Sequence, residues 1–421
     1  MSSSYRSGKS GNGARRASSP GAHKRAGGGN GGGRPSGRGS GGGGGRGKKR
    51  PQLINPEKFV NKAITPVERP AYVATNAFTD FELDERLKRN VAKHGYETPT
   101  QIQDVAIEPV LAGRDLVGLA NTGTGKTAAF ILPIIQGLLD RDRGTALVMA
   151  PTRELAVQID EEFKAFARGL KLYSSICVGG VSINKQISAL RRNPDIVIGT
   201  PGRLKDLLNR GELHLQDTDV LVLDEADRML DMGFIKDIRY IVEKIPTDRQ
   251  SLCFSATITR EIESLLKDFL KDPVTCSVKT NETNDHIEQS VIEASSKEHK
   301  IELLQEMLTE PEFEKVIIFG QTKHGVQKLA DKLSKSGLRA EAIHGNKSQS
   351  QRQRSLNAFK NNAAQILVAT DVASRGLDIP EVSHVINFDQ PDSYEDYIHR
   401  IGRTGRAGLG GQALTFVAAK R

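Results

Sequence analysis

The sequence is poor in cysteine. It has three in 421 residues, Cys177, Cys253 and Cys276, far apart and with no C-x-x-C pair. That excludes a disulfide framework or a cysteine zinc site, and a reducing, cytoplasmic location is expected. The nine histidines are scattered without metal-ligand spacing. No run of 18 apolar residues occurs, which excludes a membrane-spanning helix. Acidic residues are missing from one region only. Residues 1–50 contain no Asp or Glu but 12 of the 60 Lys and Arg, while the other 48 basic residues face 51 acidic ones. The net charge of +9 therefore divides into a tail of +12 and a body of −3.

The tail also lacks apolar residues. A stretch such as "GRPSGRGSGGGGGRGKKR" (33–50) cannot bury enough surface to order itself, and residues 1–70 are expected to be a disordered tail and lead-in. As a flexible coil, fifty such residues reach roughly 40 Å. Unpaired Lys and Arg suit a nonspecific nucleic-acid arm, because they release counterions from phosphates. A solubilising tail and an organellar transit peptide are the alternatives, although the glycine runs lack the apolar face of the latter.

From Phe78 onward short apolar runs alternate with helical stretches. Residues 114–120, 145–151, 195–201, 220–226 and 251–257 read as buried parallel strands, and "RELAVQIDEEFKAFARGL" (153–170) as a helix between two of them. The chain turns polar over 278–300. A second series follows at 315–321, 340–345, 365–371, 382–389 and 413–417. This alternation predicts an α/β protein with two doubly wound parallel sheets. The expected domains are 71–279 and 301–421, with 280–300 as linker. The chain stops at Arg421, soon after its last strand, so a minimal second domain is expected.

Two stretches carry chemistry. "ANTGTGKTAAF" (120–130) follows the first strand and has the Gly-Lys-Thr of a phosphate loop, with Ala120 where the strict pattern has glycine. Its glycines let backbone N–H groups surround phosphates. Lys126 would reach the β- and γ-phosphates, and Thr127 would offer its hydroxyl to Mg2+. The other stretch, "VLVLDEADRML" (220–230), runs a buried strand into adjacent carboxylates. Carboxylates resist such burial unless a cation lies between them. Mg2+ takes one or two carboxylates plus phosphate oxygens. Asp224 is thus the expected metal ligand beside Thr127, and Glu225 the group that deprotonates an attacking water.

With these motifs in place the chain resembles the DEAD-box RNA helicases, close to the bacterial RhlE-like group, from Phe78 to about Val417. "GYETPTQIQ" (95–103), with Phe78 seventeen residues upstream of Gly95, is similar to that family's adenine motif. The resemblance implies that Gln103 reads the adenine edge, with Tyr96 and Phe78 around the base. It implies an ATP site completed by Ala120, Asn121, Thr122, Gly123, Thr124, Gly125, Lys126 and Thr127. "PTRELA" (151–156), "GG" (179–180) and "TPGR" (200–203) resemble its RNA-backbone motifs. They imply RNA contacts from Pro151, Thr152, Arg153, Gly180, Thr200 and Arg203. In "SAT" (255–257), Ser255 and Thr257 would couple to Asp227. "IIFGQT" (317–322), "HGNKSQSQR" (344–352) and "ATDVASRGLDIP" (369–380) imply RNA contacts from Thr322, Arg352 and Thr370, and a ribose contact from Asp378. "HRIGRTGR" (399–406) implies arginine fingers at Arg403 and Arg406, with His399 in the coupling.

What the resemblance implies is an enzyme with two RecA-like domains in tandem. It would be a monomeric ATP hydrolase, dependent on Mg2+, that grips RNA with little sequence preference and unwinds it locally. RNA–protein complexes such as ribosome precursors or the decay machinery would be its substrates. The alternative is an ATP-dependent RNA clamp or scaffold that separates strands little.

Overall fold

The computed structural model describes residues 54–61, 72–121, 123–140, 144–278, 287–371, 379, 381–405 and 410–419. Among the described residues, thirteen strands form two sheets in which every strand pair is parallel. The first contains β1 Leu116–Leu119, β2 Thr145–Met149, β3 Ser174–Cys177, β4 Ile196–Gly199, β5 Thr218–Asp224, β6 Gln250–Ser255 and β7 Val274–Ser277. Their order is β3-β4-β2-β5-β6-β1-β7. The second contains β8 Ile287–Ala294, β9 Val316–Phe319, β10 Ala340–Ile343, β11 Ile366–Ala369, β12 His384–Asn387 and β13 Gly411–Ala418. Their order is β10-β11-β9-β12-β13-β8.

Both sheets are buried on both faces, which is why their strands read as unbroken apolar runs. Along β2 and β5 the side chains alternate between two cores. Val148 and Val222 join Ile102, Phe130 and Phe254 on one face. Leu147, Leu221 and Leu223 join Leu204, Met229 and Ile238 on the other. The second sheet repeats the pattern, with Ile318 and Val368 on one face and Ile317, Phe319 and Leu367 on the other. No described helix is long and apolar enough to cross a membrane.

Three features depart from the sequence reading. The stretch expected to be linker, 280–300, contains β8, which pairs in register with β13 over eight residues, and the start of the helix Lys297–Met307. Its polar outward positions hid a strand at the edge of a sheet. Strands β3 and β7 were also missed. They too are edge strands, with half-exposed alternation in place of a continuous apolar run. Finally, the expected disordered lead-in to residue 70 contains a short 3-10 helix, Pro56–Phe59, whose Phe59 is fully buried.

The strand order decides where chemistry can gather. Ligands bind beyond the carboxyl ends of strands in such sheets. Strands β5, β6 and β1 are neighbours, so the segments after them converge on one half of that edge. Strands β3, β4 and β2 gather the other half. Within β1, Gly118 lies opposite Phe254 of β6. A Cβ on Gly118 would sit 2.5 and 2.6 Å from the Phe254 ring, which itself packs 5.3 Å from Phe130. Gly118→Ala is therefore expected to cost about 1–3 kcal/mol by overpacking. It should lower the midpoint of the unfolding transition that reports the first sheet. An unshifted midpoint would mean that the ring yields freely.

Candidate functional site

Beyond β1 the chain forms the loop that leads into the helix Lys126–Asp140. Ala120 N–H donates to the Ser255 carbonyl at the end of β6 (3.1 Å), tying the two strand ends together. The Lys126 ammonium is buried and donates to the Ala120 carbonyl (2.9 Å). Gly125 has φ +88°, and a Cβ there would overlap the Gln103 amide, so only glycine suits the position. Gln103 is buried. Its oxygen accepts from Thr100 N–H (2.9 Å) and its amide nitrogen donates to the Gly125 carbonyl (3.1 Å). One N–H and one lone pair remain for a base edge. Thr100 Oγ1 also donates to the Thr124 carbonyl (2.7 Å), and Thr124 Oγ1 to the Asn121 carbonyl (2.8 Å). The helix bearing Gln103 is thus fastened to the loop at several points.

Phe78 and Tyr96 meet edge to face at 5.9 Å, in a cluster with Phe81 and Phe166. Phe78 is buried within the core, while Tyr96 is half-buried. Asp104 supplies a fastening the sequence did not reveal. It accepts from Tyr72 Oη (2.5 Å), Thr75 N–H (2.7 Å) and the Asn76 backbone and side-chain N–H groups (3.1 and 2.9 Å). The segment leading to Phe78 is thereby fixed to the Gln103 helix.

At the end of β5, Asp224 and Glu225 are both buried. Asp224 Oδ1 has no hydrogen-bond partner among the described residues. Burial pushes the Asp224 carboxyl up, Lys126 pulls it down, and Glu225 and Asp227 push it up again. A buried oxygen with an unmet demand for positive charge suits a hard divalent cation. No cluster of three or more His, Cys, Asp or Glu among the described residues could hold a metal by itself. A cation here therefore needs oxygens from outside the protein, as Mg2+ on a nucleotide phosphate has. Half-buried Thr127 opens the loop's helix and offers the other protein oxygen.

Glu225 adopts the left-handed conformation, with φ 54° and ψ 53°. That is uncommon outside glycine and costs about 1–3 kcal/mol. Its carboxylate accepts from buried Arg228 at 3.0 and 3.2 Å, a partner sequence reasoning missed. Asp227 Oδ2 accepts from Ala256 N–H (3.0 Å), Thr257 N–H (3.1 Å) and Thr257 Oγ1 (3.4 Å). Ser255 Oγ donates to the Thr257 carbonyl (2.7 Å) and accepts from Asp227 N–H (3.4 Å). Asp227, Ser255 and Thr257 are thus brought together.

A cavity of about 680 Å3 opens here. Asn121, Lys126, Glu225 and Asp227 line one side, and His399 and Gly402 of the second sheet's unit line the other. Arg403 is buried next to Gly402, with its Nε donating to the His399 carbonyl at 3.4 Å. The helix Tyr394–Ile401 that leads to it is held by buried Arg400. That guanidinium pairs with Asp371 (2.5 and 2.7 Å), donates to Asn387 Oδ1 (3.1 Å) and to the Asp389 carbonyl (2.7 Å), and lies over the Phe319 ring. Thr122, Asp378 and Arg406 lie outside the described residues.

The other half of the first sheet's edge forms a second cavity, of about 380 Å3, lined by Pro151, Thr152, Arg153, Thr200, Arg203 and Arg352 among others. Thr152 Oγ1 caps the helix Arg153–Phe166 at Leu155 N–H (3.2 Å). Arg153 lies against Gly180, where φ is +73° and any Cβ would overlap the guanidinium. Arg203 donates to the Val181 carbonyl at 3.3 Å. Arg352 comes from the second sheet's unit and forms a buried ion pair with Glu154 at 2.7 Å. Gln349 donates to the same carboxylate at 3.4 Å. Glu154 was not singled out in the sequence, although it stands inside "PTRELA". Thr322 and Thr370 stand apart from this cavity, at the carboxyl ends of β9 and β11. Thr322 caps the helix Lys323–Lys335 through Gly325 N–H (3.0 Å), and Thr370 N–H donates to the Ile343 carbonyl (3.3 Å).

Comparison with known proteins points the same way as these cavities. Residues 100–265 match the DEAD/DEAH box helicase model, and residues 299–408 match that of the helicase conserved C-terminal domain. The chain is 44% identical to the ATP-dependent RNA helicase CshA of Limosilactobacillus reuteri over 342 residues, covering 81% of this chain and 69% of that protein. It is 46% identical to the RNA helicase CrhR of Synechocystis over 344 residues, covering 82% and 70%. Among solved structures it resembles S. cerevisiae Dbp5 bound to RNA and ADP BeF3, with a TM-score of 0.72, 32% identity and coverage of 82% and 90%. It also resembles Mss116p bound to ssRNA and AMP-PNP, with a TM-score of 0.74, 32% identity and coverage of 85% and 78%.

The Glu154–Arg352 pair joins the two units and is testable by itself. Glu154→Ala leaves Arg352 buried without its carboxylate, which costs about 3–5 kcal/mol. A dye pair reporting the distance between the sheets should shift toward separation. Adding Arg352→Met should restore part of the original population, because no unpaired charge then remains. An unaltered distance in the Glu154→Ala protein would exclude the pair as a fastening.

Proposed function

The chain belongs to the DEAD-box family of ATP-dependent RNA helicases, and from that premise we propose which of its residues perform each step. The enzyme hydrolyses ATP and couples that reaction to RNA. The observation that carries the assignment is the cavity with Lys126, Glu225 and Asp227 on one wall and His399 and Gly402 on the other. Such a cavity is complete only when the two sheets approach, so the chemistry depends on closure.

ATP lies with its base toward Gln103, Tyr96 and Phe78. Its phosphates rest on the loop Ala120–Thr127, and the Lys126 ammonium exchanges the Ala120 carbonyl for phosphate oxygens. Asp224 and Thr127 would hold Mg2+, which when bound neutralises charge on the phosphates. Glu225 orients a water and takes its proton as oxygen attacks the γ-phosphorus and the bond to ADP breaks. Arg403 and Arg406 stabilise the charge that develops on the transferred group. Asp378 holds the ribose.

RNA lies along the second cavity. Pro151, Thr152, Arg153, Gly180, Thr200 and Arg203 follow its phosphates and sugars from the first sheet. Thr322, Arg352 and Thr370 act from the second. Contacts of this kind position a strand without reading its bases, so sequence preference is weak. Asp227, Ser255, Thr257 and His399 carry the state of the ATP side to the RNA side. Local unwinding follows from gripping one strand in a form its partner cannot share. The basic tail adds a sequence-independent arm. The buried, unpaired cysteines fit a reducing compartment such as the cytoplasm.

Steady-state ATPase of the whole protein, with single-stranded RNA and with matched DNA, tests the assignment. RNA alone should stimulate strongly. Equal stimulation by DNA would overturn the RNA preference. Glu225→Gln should still bind ATP and RNA while kcat falls by at least about a hundredfold; normal turnover would remove Glu225 from the role of base. Deleting residues 1–50 should weaken RNA binding and flatten its dependence on log salt, by up to about 8 units if all the tail's charges engage. An unchanged slope would leave the tail a solubilising one.

A further inference from the structure

The segment upstream of the first sheet's unit is seated on the second. Asn55 caps a single 3-10 turn by accepting from Glu57 N–H (3.2 Å), with Pro56 at its first position. The turn ends on Phe59, which is fully buried among Ile287, Tyr397, Ile401, Ala413 and Val417. Its ring lies 4.8 Å from that of Tyr397. Two residues on, Asn61 exchanges backbone hydrogen bonds with Gln289 of edge strand β8, at 3.0 and 2.8 Å. Gln289 Oε1 also accepts from Tyr397 Oη at 3.0 Å. Lys58 covers the Tyr394 ring. An antiparallel bridge on an otherwise open sheet edge and a phenyl ring in the core are not the contacts of a passing linker.

The position matters because of the helix it touches. Tyr397 and Ile401 are four residues apart and occupy the helix face that meets Phe59. Ile398, which also packs against that cluster, lines the cavity around the carboxylates together with His399 and Gly402. The helix Tyr394–Ile401 thus touches both the Phe59 cluster and the cavity, and its last turn runs directly into Arg403, whose N–H donates to the Arg400 carbonyl at 3.1 Å. Removing a ring from one face of a short helix lets the other face shift. A displacement of about 1 Å at a group that stabilises a transition state can cost a hundredfold in rate.

We infer that Phe59 is a positioning residue for Arg403. It packs through Tyr397 and Ile401 against the terminal turn of the arginine-bearing helix. The tail's last basic residue, Arg50, stands nine positions before Phe59, and the segment Tyr72–Asn76 is fixed to Asp104 of the first sheet's unit. The same chain thus fastens to both units before the first strand begins. The inference rests on the proposed role of Arg403.

The experiment is a double-mutant cycle on the full-length protein, read as RNA-stimulated kcat per active site and KM for ATP, well below the unfolding temperature. Phe59→Ala should lower kcat about tenfold with little change in KM. Phe59→Leu should retain most of the rate. In an Arg403→Ala background, Phe59→Ala should add almost nothing, since it acts through the same group. If Phe59→Ala is insoluble, Asn61→Pro removes the N–H that donates to Gln289 without opening a cavity and should show a smaller loss of the same kind. A full kcat in Phe59→Ala beside an impaired Arg403→Ala overturns this inference alone, as does strict additivity of the two losses. A full kcat in Arg403→Ala overturns the role of Arg403 and this inference with it.

Discussion

The buried carboxylate at the end of β5 is the group around which the first sheet is arranged. Asp224 is almost wholly buried, with Glu225 and Asp227 within three residues of it. Among the described residues Lys126 and Arg228 are the cations beside these three carboxylates. Burial resists that excess negative charge, and the unpartnered Asp224 Oδ1 marks where the missing positive charge belongs. In the mechanism proposed above, the phosphate loop answers the need indirectly, because phosphates held by its N–H groups and Lys126 would bring a divalent cation with them. Neither half of the site is sensible without the other. That mutual need is why a phosphate loop and a strand-end carboxylate belong to one sheet.

Strand order then does the sorting. Inserting β6 between β1 and β5 puts Ser255–Thr257 between the phosphate loop and Asp227, so a shift of the carboxylates pulls on that segment through three hydrogen bonds. Placing β2, β4 and β3 on the far side collects Arg153, Arg203 and Thr200 in a separate cavity along the same edge. Two ligands can thus bind one sheet without competing, while the strands between them form a stiff, fully packed connection.

Much of this was legible in the sequence because burial on both faces writes a continuous apolar run. The strands of the two sheet centres could be read that way, and the groups at their ends followed from the loop and carboxylate motifs. Edge strands β3, β7 and β8 could not be read, because one exposed side dilutes the run to an ordinary alternation. Glu154 was hidden for a different reason. A lone glutamate in a helix reads as a solvated charge, and its buried partner Arg352 lies 198 positions away in the chain. Phe59 was lost among polar neighbours: one aromatic in a short polar segment carries no periodicity. What sequence could not supply in each case was the partner, since partners distant along the chain leave no local pattern.

Arg400 is paired to Asp371, Asn387 and the Asp389 carbonyl, which ties the helix Tyr394–Ile401 to β12 and to the residue after β11. The Glu154–Arg352 pair sits in the cavity assigned to RNA, not in the one assigned to ATP. An interaction there which favours approach also completes the ATP cavity, and by linkage a nucleotide that favours approach strengthens the RNA cavity equally. The coupling needs no wire through the protein interior. Two rigid sheets with one ligand site at each end of a shared edge are sufficient.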